Sequence, residues 1–111
     1  MSKQICNPYR KVEGYNCFGC SPGNPIGLHL SFVEDGDEII AEWEPDENYT
    51  GWIGVLHGGM QATMMDEIAS WVVFTKLRTA GVTREMTVKY RKSVMVSDGK
   101  VVCRARLTEV N

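Results

Sequence analysis

A polar line, two carboxylates and a His-Gly-Gly step are the residues here whose types and spacing could carry chemistry. Thr63, Asp66, Glu67 and Ser70 recur at i, i+3, i+4 and i+7 in a run otherwise rich in Met, Ala, Ile, Val and Trp. A line of that kind usually faces solvent. On a mostly buried helix face, however, a carboxylate holds its proton more tightly unless it is paired, which suits a general base or a nucleophile. Asp66 and Glu67 are the two candidates. Just upstream stands His57-Gly58-Gly59. First-turn N–H groups of a helix lack intrahelical partners and carry partial positive charge, and glycine lets another group approach that backbone. An ester or thioester carbonyl placed there would have its developing negative charge stabilised. The plainer reading is that Gly58-Gly59 makes a tight turn and His57 caps the helix.

Length restricts how these groups can meet. Gly58 and Asp66 are eight positions apart, or roughly 12 Å along one helix at 1.5 Å per residue. Carbonyl chemistry needs donors and carboxylate around a single carbon, with contacts near ~3 Å. One chain cannot bring them together, whereas two antiparallel copies of the helix about a two-fold axis can. The helix also carries apolar residues on more than one side, and one curled sheet covers only one of them. Both considerations predict a homodimer.

The elements that must position these residues follow from periodicity. Residues 1–25 contain Pro8, Gly14, Gly19, Pro22, Gly23 and Pro25 without a sustained period and read as an irregular N-terminal arm, with residues 26–111 as the domain. Alternation at Leu28, Leu30 and Phe32 predicts a strand, Asp35-Gly36 a turn, and Ile39, Ala41 and Trp43 a second strand. The stretch from His57 to Leu77 predicts a helix of about five turns, ended by Gly81. Met86, Val88 and Tyr90 alternate with Thr87, Lys89 and Arg91 as a third strand. Val101, Cys103, Ala105 and Leu107 alternate with Val102, Arg104 and Arg106 as a fourth. The order is ββαββ, an α+β arrangement with antiparallel hairpins.

The 111 residues suffice for one core, and 43% hydrophobic with 23% charged residues describes a folded domain rather than a disordered one. A net charge of −2 gives no electrostatic case for nucleic acid. No apolar run is long enough to span a membrane, and no signal-like segment opens the chain, so a cytoplasmic protein is expected. Its four cysteines are then expected as thiols. Cys17 and Cys20 form a C-x-x-C pair without a second close pair or a suitably spaced histidine. They read as structural thiols, and no metal site is expected. Charge is segregated, with eight acids and no base in residues 34–47 and seven bases against three acids in 81–111. Two solvated strand faces explain this. The sharper alternative is that Lys89, Arg91 and Lys92 meet an anionic ligand such as a phosphorylated cofactor tail.

The run Gly54-Val55-Leu56-His57-Gly58-Gly59-Met60-Gln61-Ala62-Thr63-Met64-Met65-Asp66 resembles the signature of hotdog-fold acyl-CoA thioesterases of the phenylacetate-degradation type. Gly81-Val82-Thr83 leading into Met86-Thr87-Val88-Lys89-Tyr90, and Cys17-Phe18-Gly19-Cys20 with Asn24-Pro25-Ile26-Gly27-Leu28, add to the likeness. The resemblance implies a hotdog fold, a long helix wrapped by a curved antiparallel sheet, in dimers often paired into tetramers. It implies Gly58 as the oxyanion donor through its backbone N–H and His57 as the residue orienting the carbonyl or the loop. Asp66 becomes the carboxylate that activates water or attacks directly, with Thr83 the positioning hydroxyl. This order of residues raises Asp66 above Glu67.

Gly59, Met60 and Asn48 are expected near the substrate, with Arg91 and Lys92 near the phosphates of coenzyme A, which enters as substrate and not as a cofactor. Two departures stand out: Gly51 occupies the place of a usual Asn or Gln six positions before the histidine, and the chain ends after the fourth expected strand where the fold usually has at least one more. The expected activity is thioester hydrolysis. A non-catalytic acyl-CoA-binding module, for which Gly51 speaks, and a hotdog acyl dehydratase are the alternatives.

Overall fold

In the computed structural model of the chain, residues 2–110 are described. One helix, α1 (Gly58–Leu77), packs on a four-stranded antiparallel sheet of β1 (Ser2–Gln4), β2 (Phe32–Asp35), β3 (Glu38–Trp43) and β4 (Val101–Arg106), in the spatial order β1-β2-β3-β4. This is the expected α+β class, a central helix against an antiparallel sheet. Alternation places the strands. Ile39 and Ala41 on β3 point into the core while Glu42 faces water, and on β4 Val101, Cys103 and Ala105 turn inward while Val102, Arg104 and Arg106 turn out. The β3–β4 register runs from Glu38↔Arg106 to Trp43↔Val101. It sets the acidic strand beside the basic one, and Arg104 reaches Glu38 at 3.2 Å and Lys100 reaches Glu42 at 3.4 Å.

The core joins Leu28, Leu30, Phe32, Ile39 and Ala41 to Met64, Ile68, Trp71 and Val72 of α1. Phe32 stacks on Trp71 with centroids 5.3 Å apart, and Tyr9 and Phe74 meet the indole edge-on. Ile39 is 0% exposed, and its truncation to Ala would cost about 2–5 kcal/mol.

Three expectations need correction. The first strand begins at Phe32, not Leu28: Leu28, Leu30 and Phe32 are all buried as the alternation requires. His29, however, has a left-handed backbone (φ 53°), which breaks the extended run. Leu28 and Leu30 bond instead to the Phe18 and Gly19 carbonyls. The helix ends at Leu77 as expected, but what ends it is Arg78 in the left-handed capping conformation rather than Gly81.

The third correction concerns residues 86–91, which form no strand, and the sheet is completed by β1 from the N-terminal side. Leu56 N–H bonds to the Val94 carbonyl and Val96 N–H to the Gly54 carbonyl, so the chain leading into β4 is drawn to the loop before α1. Residues 86–91 do not run alongside β4. No helix among the described residues is long and apolar enough to cross a membrane.

Candidate active site

The loop that delivers His57 is pinned on both sides. Leu56 is buried and bonded to Val94, His57 N–H donates to the Tyr49 carbonyl at 2.8 Å, and isolated bridges join Thr50 to Leu56 and Val55 to Met95. His57 is the N-cap of α1, its Nδ1 accepting from the Gly59 N–H at 2.8 Å. Met60 and Gln61 N–H groups both bond to the His57 carbonyl. Among the described residues the Gly58 N–H is therefore the first-turn donor without an acceptor, while its carbonyl accepts from the Tyr90 hydroxyl at 2.8 Å.

Gly51 rests against the His57 ring. A Cβ there would stand 3.3 Å from the imidazole Cδ2, so a side chain at 51 requires the ring to yield. His57, Met60 and Asn48 line one cleft of about 360 Å3, together with Phe18, Tyr49 and Thr50. Asn48 is exposed and follows Asp46, whose carboxylate caps its N–H at 2.8 Å.

The polar line on α1 separates into distinct partners. Thr63 and Ser70 hydroxyls turn back to the Gly59 and Asp66 carbonyls. Asp66, half-buried, accepts a hydrogen bond at Oδ1 from the Thr83 hydroxyl. Glu67 turns to the N-terminal arm, where its Oε1 accepts from the Cys17 thiol and the Trp71 indole N–H, each at 3.3 Å. Tyr15 meets the Cys20 sulfur at 2.7 Å and accepts from the Asn7 amide at 3.1 Å. Burial pushes the Cys20 thiol and the Tyr15 hydroxyl well above their ordinary values, and the neighbouring carboxylate of Glu67 adds to the effect on Cys20.

The residues expected to form a site thus fall into two groups within one protomer. Asp66 and Thr83 are together. Gly58, Gly59, His57, Met60 and Asn48 gather around the helix start. Gly58 and Asp66 stand eight helical positions apart, about 12 Å of rise. Arg91 and Lys92 are exposed and form no part of the cleft. Sequence reasoning missed Tyr90, read as a strand residue, which lies against Gly58. It also missed the junction of Glu67 with Cys17, for which Gly19 was the available signal: a Cβ there would stand 2.7 Å from the Glu67 carboxyl carbon.

Comparison with known proteins adds a family. Acyl-coenzyme A thioesterase 13 of Homo sapiens is 32% identical over 66 residues, covering 59% of this chain and 47% of that protein. The Mus musculus protein of the same name is 30% identical over 67 residues, 60% of this chain and 48% of its own. The Pongo abelii protein matches as the human one does. The chain spans about half the length of these curated relatives. No solved structure gives a significant match. The family model described as the thioesterase superfamily matches residues 53–111, more than half of the chain and the part that holds His57, Gly58, Asp66 and Thr83. The chain belongs to the thioesterase superfamily.

Proposed function

We propose that this chain hydrolyses acyl-CoA thioesters at sites shared between two copies. The observation that carries the reading is the Asp66–Thr83 hydrogen bond, set on the same unbroken helix as the Gly58 N–H and about two turns away from it. Family membership and the names of the relatives supply the reaction class.

The thioester carbonyl oxygen sits on the Gly58 N–H of one copy, where the helix start stabilises the negative charge that develops on it. Asp66 of the mate takes a proton from water as it attacks the carbonyl carbon. Thr83, bonded to one carboxylate oxygen, fixes the orientation of the other. Collapse of the tetrahedral intermediate breaks the C–S bond, the leaving thiolate of coenzyme A takes the proton from Asp66 to become the free thiol, and the free acid departs. Direct attack by the Asp66 carboxylate, followed by hydrolysis of the anhydride, uses the same placement. His57 holds the loop and first turn in place. Asn48, Gly59 and Met60 contact the acyl-thioester portion, and Arg91 and Lys92 meet the phosphates of coenzyme A. No separate cofactor is required.

Several features support a second copy. Trp52 and Ile53, next to the helix start, are 75% and 84% exposed, and Val82, next to Thr83, is 97% exposed. Apolar groups of that size gain by burial in an interface. Pairing of such dimers into tetramers and a cytoplasmic location belong to the same proposal.

The test is free-thiol release from a panel of aromatic and medium-chain acyl-CoA esters by the parent and by Asp66→Asn, with the mass of the species measured in solution. A dimer or tetramer whose turnover collapses in the variant is expected. A fully active monomer overturns the shared site. Gly51 favours a second reading, a non-catalytic acyl-CoA-binding module, because no polar side chain projects from that position toward His57. Equal background rates in both proteins, with acyl-CoA binding intact, would establish it.

A further inference from the structure

We infer that Cys17, Cys20 and Glu67 form a binding site for a borderline-soft divalent cation of the zinc type, which fastens the N-terminal arm to α1. The two sulfurs and a carboxylate oxygen of these residues all lie within 4.8 Å of one another. Zinc bound to sulfur at about 2.3 Å and to oxygen at about 2.0–2.2 Å in a tetrahedron sets its ligands about 3.5–3.8 Å apart. The Cys17 sulfur and Glu67 Oε1 are already 3.3 Å apart, so closing the set needs side-chain shifts of roughly an ångström or less.

The site is built from two remote pieces of chain. The C-x-x-C turn supplies two ligands three positions apart, and the third arrives from the helix, 47 positions after Cys20. Gly19 makes that approach feasible. A Cβ at 19 would lie 2.7 Å from both Cδ and Oε2 of Glu67, so any other residue would drive the carboxylate away from the turn. Outer contacts are in place as well: Trp71 donates to Glu67, and Tyr15, whose oxygen accepts from Asn7, is placed to donate to the Cys20 sulfur. Such donors orient ligands and spread their charge.

The same groups wall a cavity of about 210 Å3 that has no Lys, Arg or His in its lining, so no cationic side chain of the lining would balance two thiolates and a carboxylate once the thiols ionise. A divalent ion does. On binding, the Cys17 and Cys20 protons pass to solvent, and a water in the cavity completes the tetrahedron.

The test uses the whole chain, reduced and stripped of metal, titrated anaerobically with Co2+. One equivalent per chain, with a thiolate-to-cobalt charge-transfer band that Zn2+ displaces, is expected. The Cys17→Ser/Cys20→Ser variant should lose the band. Glu67→Gln, nearly isosteric, should weaken Zn2+ binding by about tenfold or more.

Should the double variant fail to fold, alkylation of the parent decides. Zn2+ should protect Cys17 and Cys20, mapped by peptide mass, and leave the exposed Cys6 as reactive as before. No band in the parent, an unchanged band in a folded double variant, or equal protection at Cys6 overturns the assignment.

Discussion

Asp66 and Glu67 are adjacent on α1, yet they face different worlds. Glu67 is enclosed within its own protomer by Cys17, the Trp71 indole and the glycine at position 19. Among the described residues the Asp66 carboxylate has one partner, the Thr83 hydroxyl, which is itself exposed, and large apolar side chains stand uncovered near both halves of the site. One face is finished by folding, and the other is the face on which the proposed second copy would dock. A carboxylate tied to groups of its own chain works for stability. A carboxylate whose surroundings are completed from outside is free to serve a reaction.

The largest effect should come from Asp66→Asn, which is expected to cut thioester turnover by about 10²- to 10⁴-fold while leaving the unfolding midpoint nearly unchanged. Glu67→Ala should do the reverse: turnover per folded molecule close to the parent, and stability lowered by about 1–3 kcal/mol in urea because the Trp71 N–H loses its acceptor. An exchange of these two outcomes would break the comparison.

Thr83→Val removes one hydrogen bond to a charged group, about 1.5–3 kcal/mol, and should slow turnover roughly ten- to a hundredfold. Steady-state kinetics would register it in kcat more than in KM. Gly19→Ala crowds the Glu67 carboxylate and should destabilise by about 1–3 kcal/mol. An unaltered denaturation curve would mean that the closed face is looser than its geometry.

The smallest effect concerns a third carboxylate. The Lys76 ammonium, 2.6 Å from Glu34, holds that carboxyl below its ordinary value of 4.5. Below that ordinary value the unfolded chain binds the proton first. The contribution is therefore complete above pH 4.5 and is lost as pH falls through the lowered folded value. Lys76→Met should remove this acid-side component from a stability-against-pH series.

Much of the frame was legible because its signals are local. The alternation of 101–106 and 39–43 depends only on which neighbours face the core, and both strands formed. The helix from Gly58 was readable from its glycines, its histidine cap and an absence of breakers; family likeness singled out Asp66 and Thr83 one by one, and their hydrogen bond to each other came from the structure. What escaped was decided at long range. Residues 86–91 carry good strand alternation, but pairing of 94–96 with the loop before α1 draws that stretch away from β4. Ser2–Gln4 is too short to announce itself, and it became a strand because β2 offers an edge to it. Glu67 and Cys17 are far apart in the chain, and no periodicity links them.

The continuity of α1 from Gly58 to Leu77 has a kinetic corollary. A twenty-residue helix does not bend its first turn onto its third, so neither half of the chemistry can be brought to the other by motion within one molecule. Under the proposed shared site, dilution becomes an inhibitor. Below the concentration at which chains pair, the rate per mole of protein should fall away, and catalysis should become second order in the chain itself.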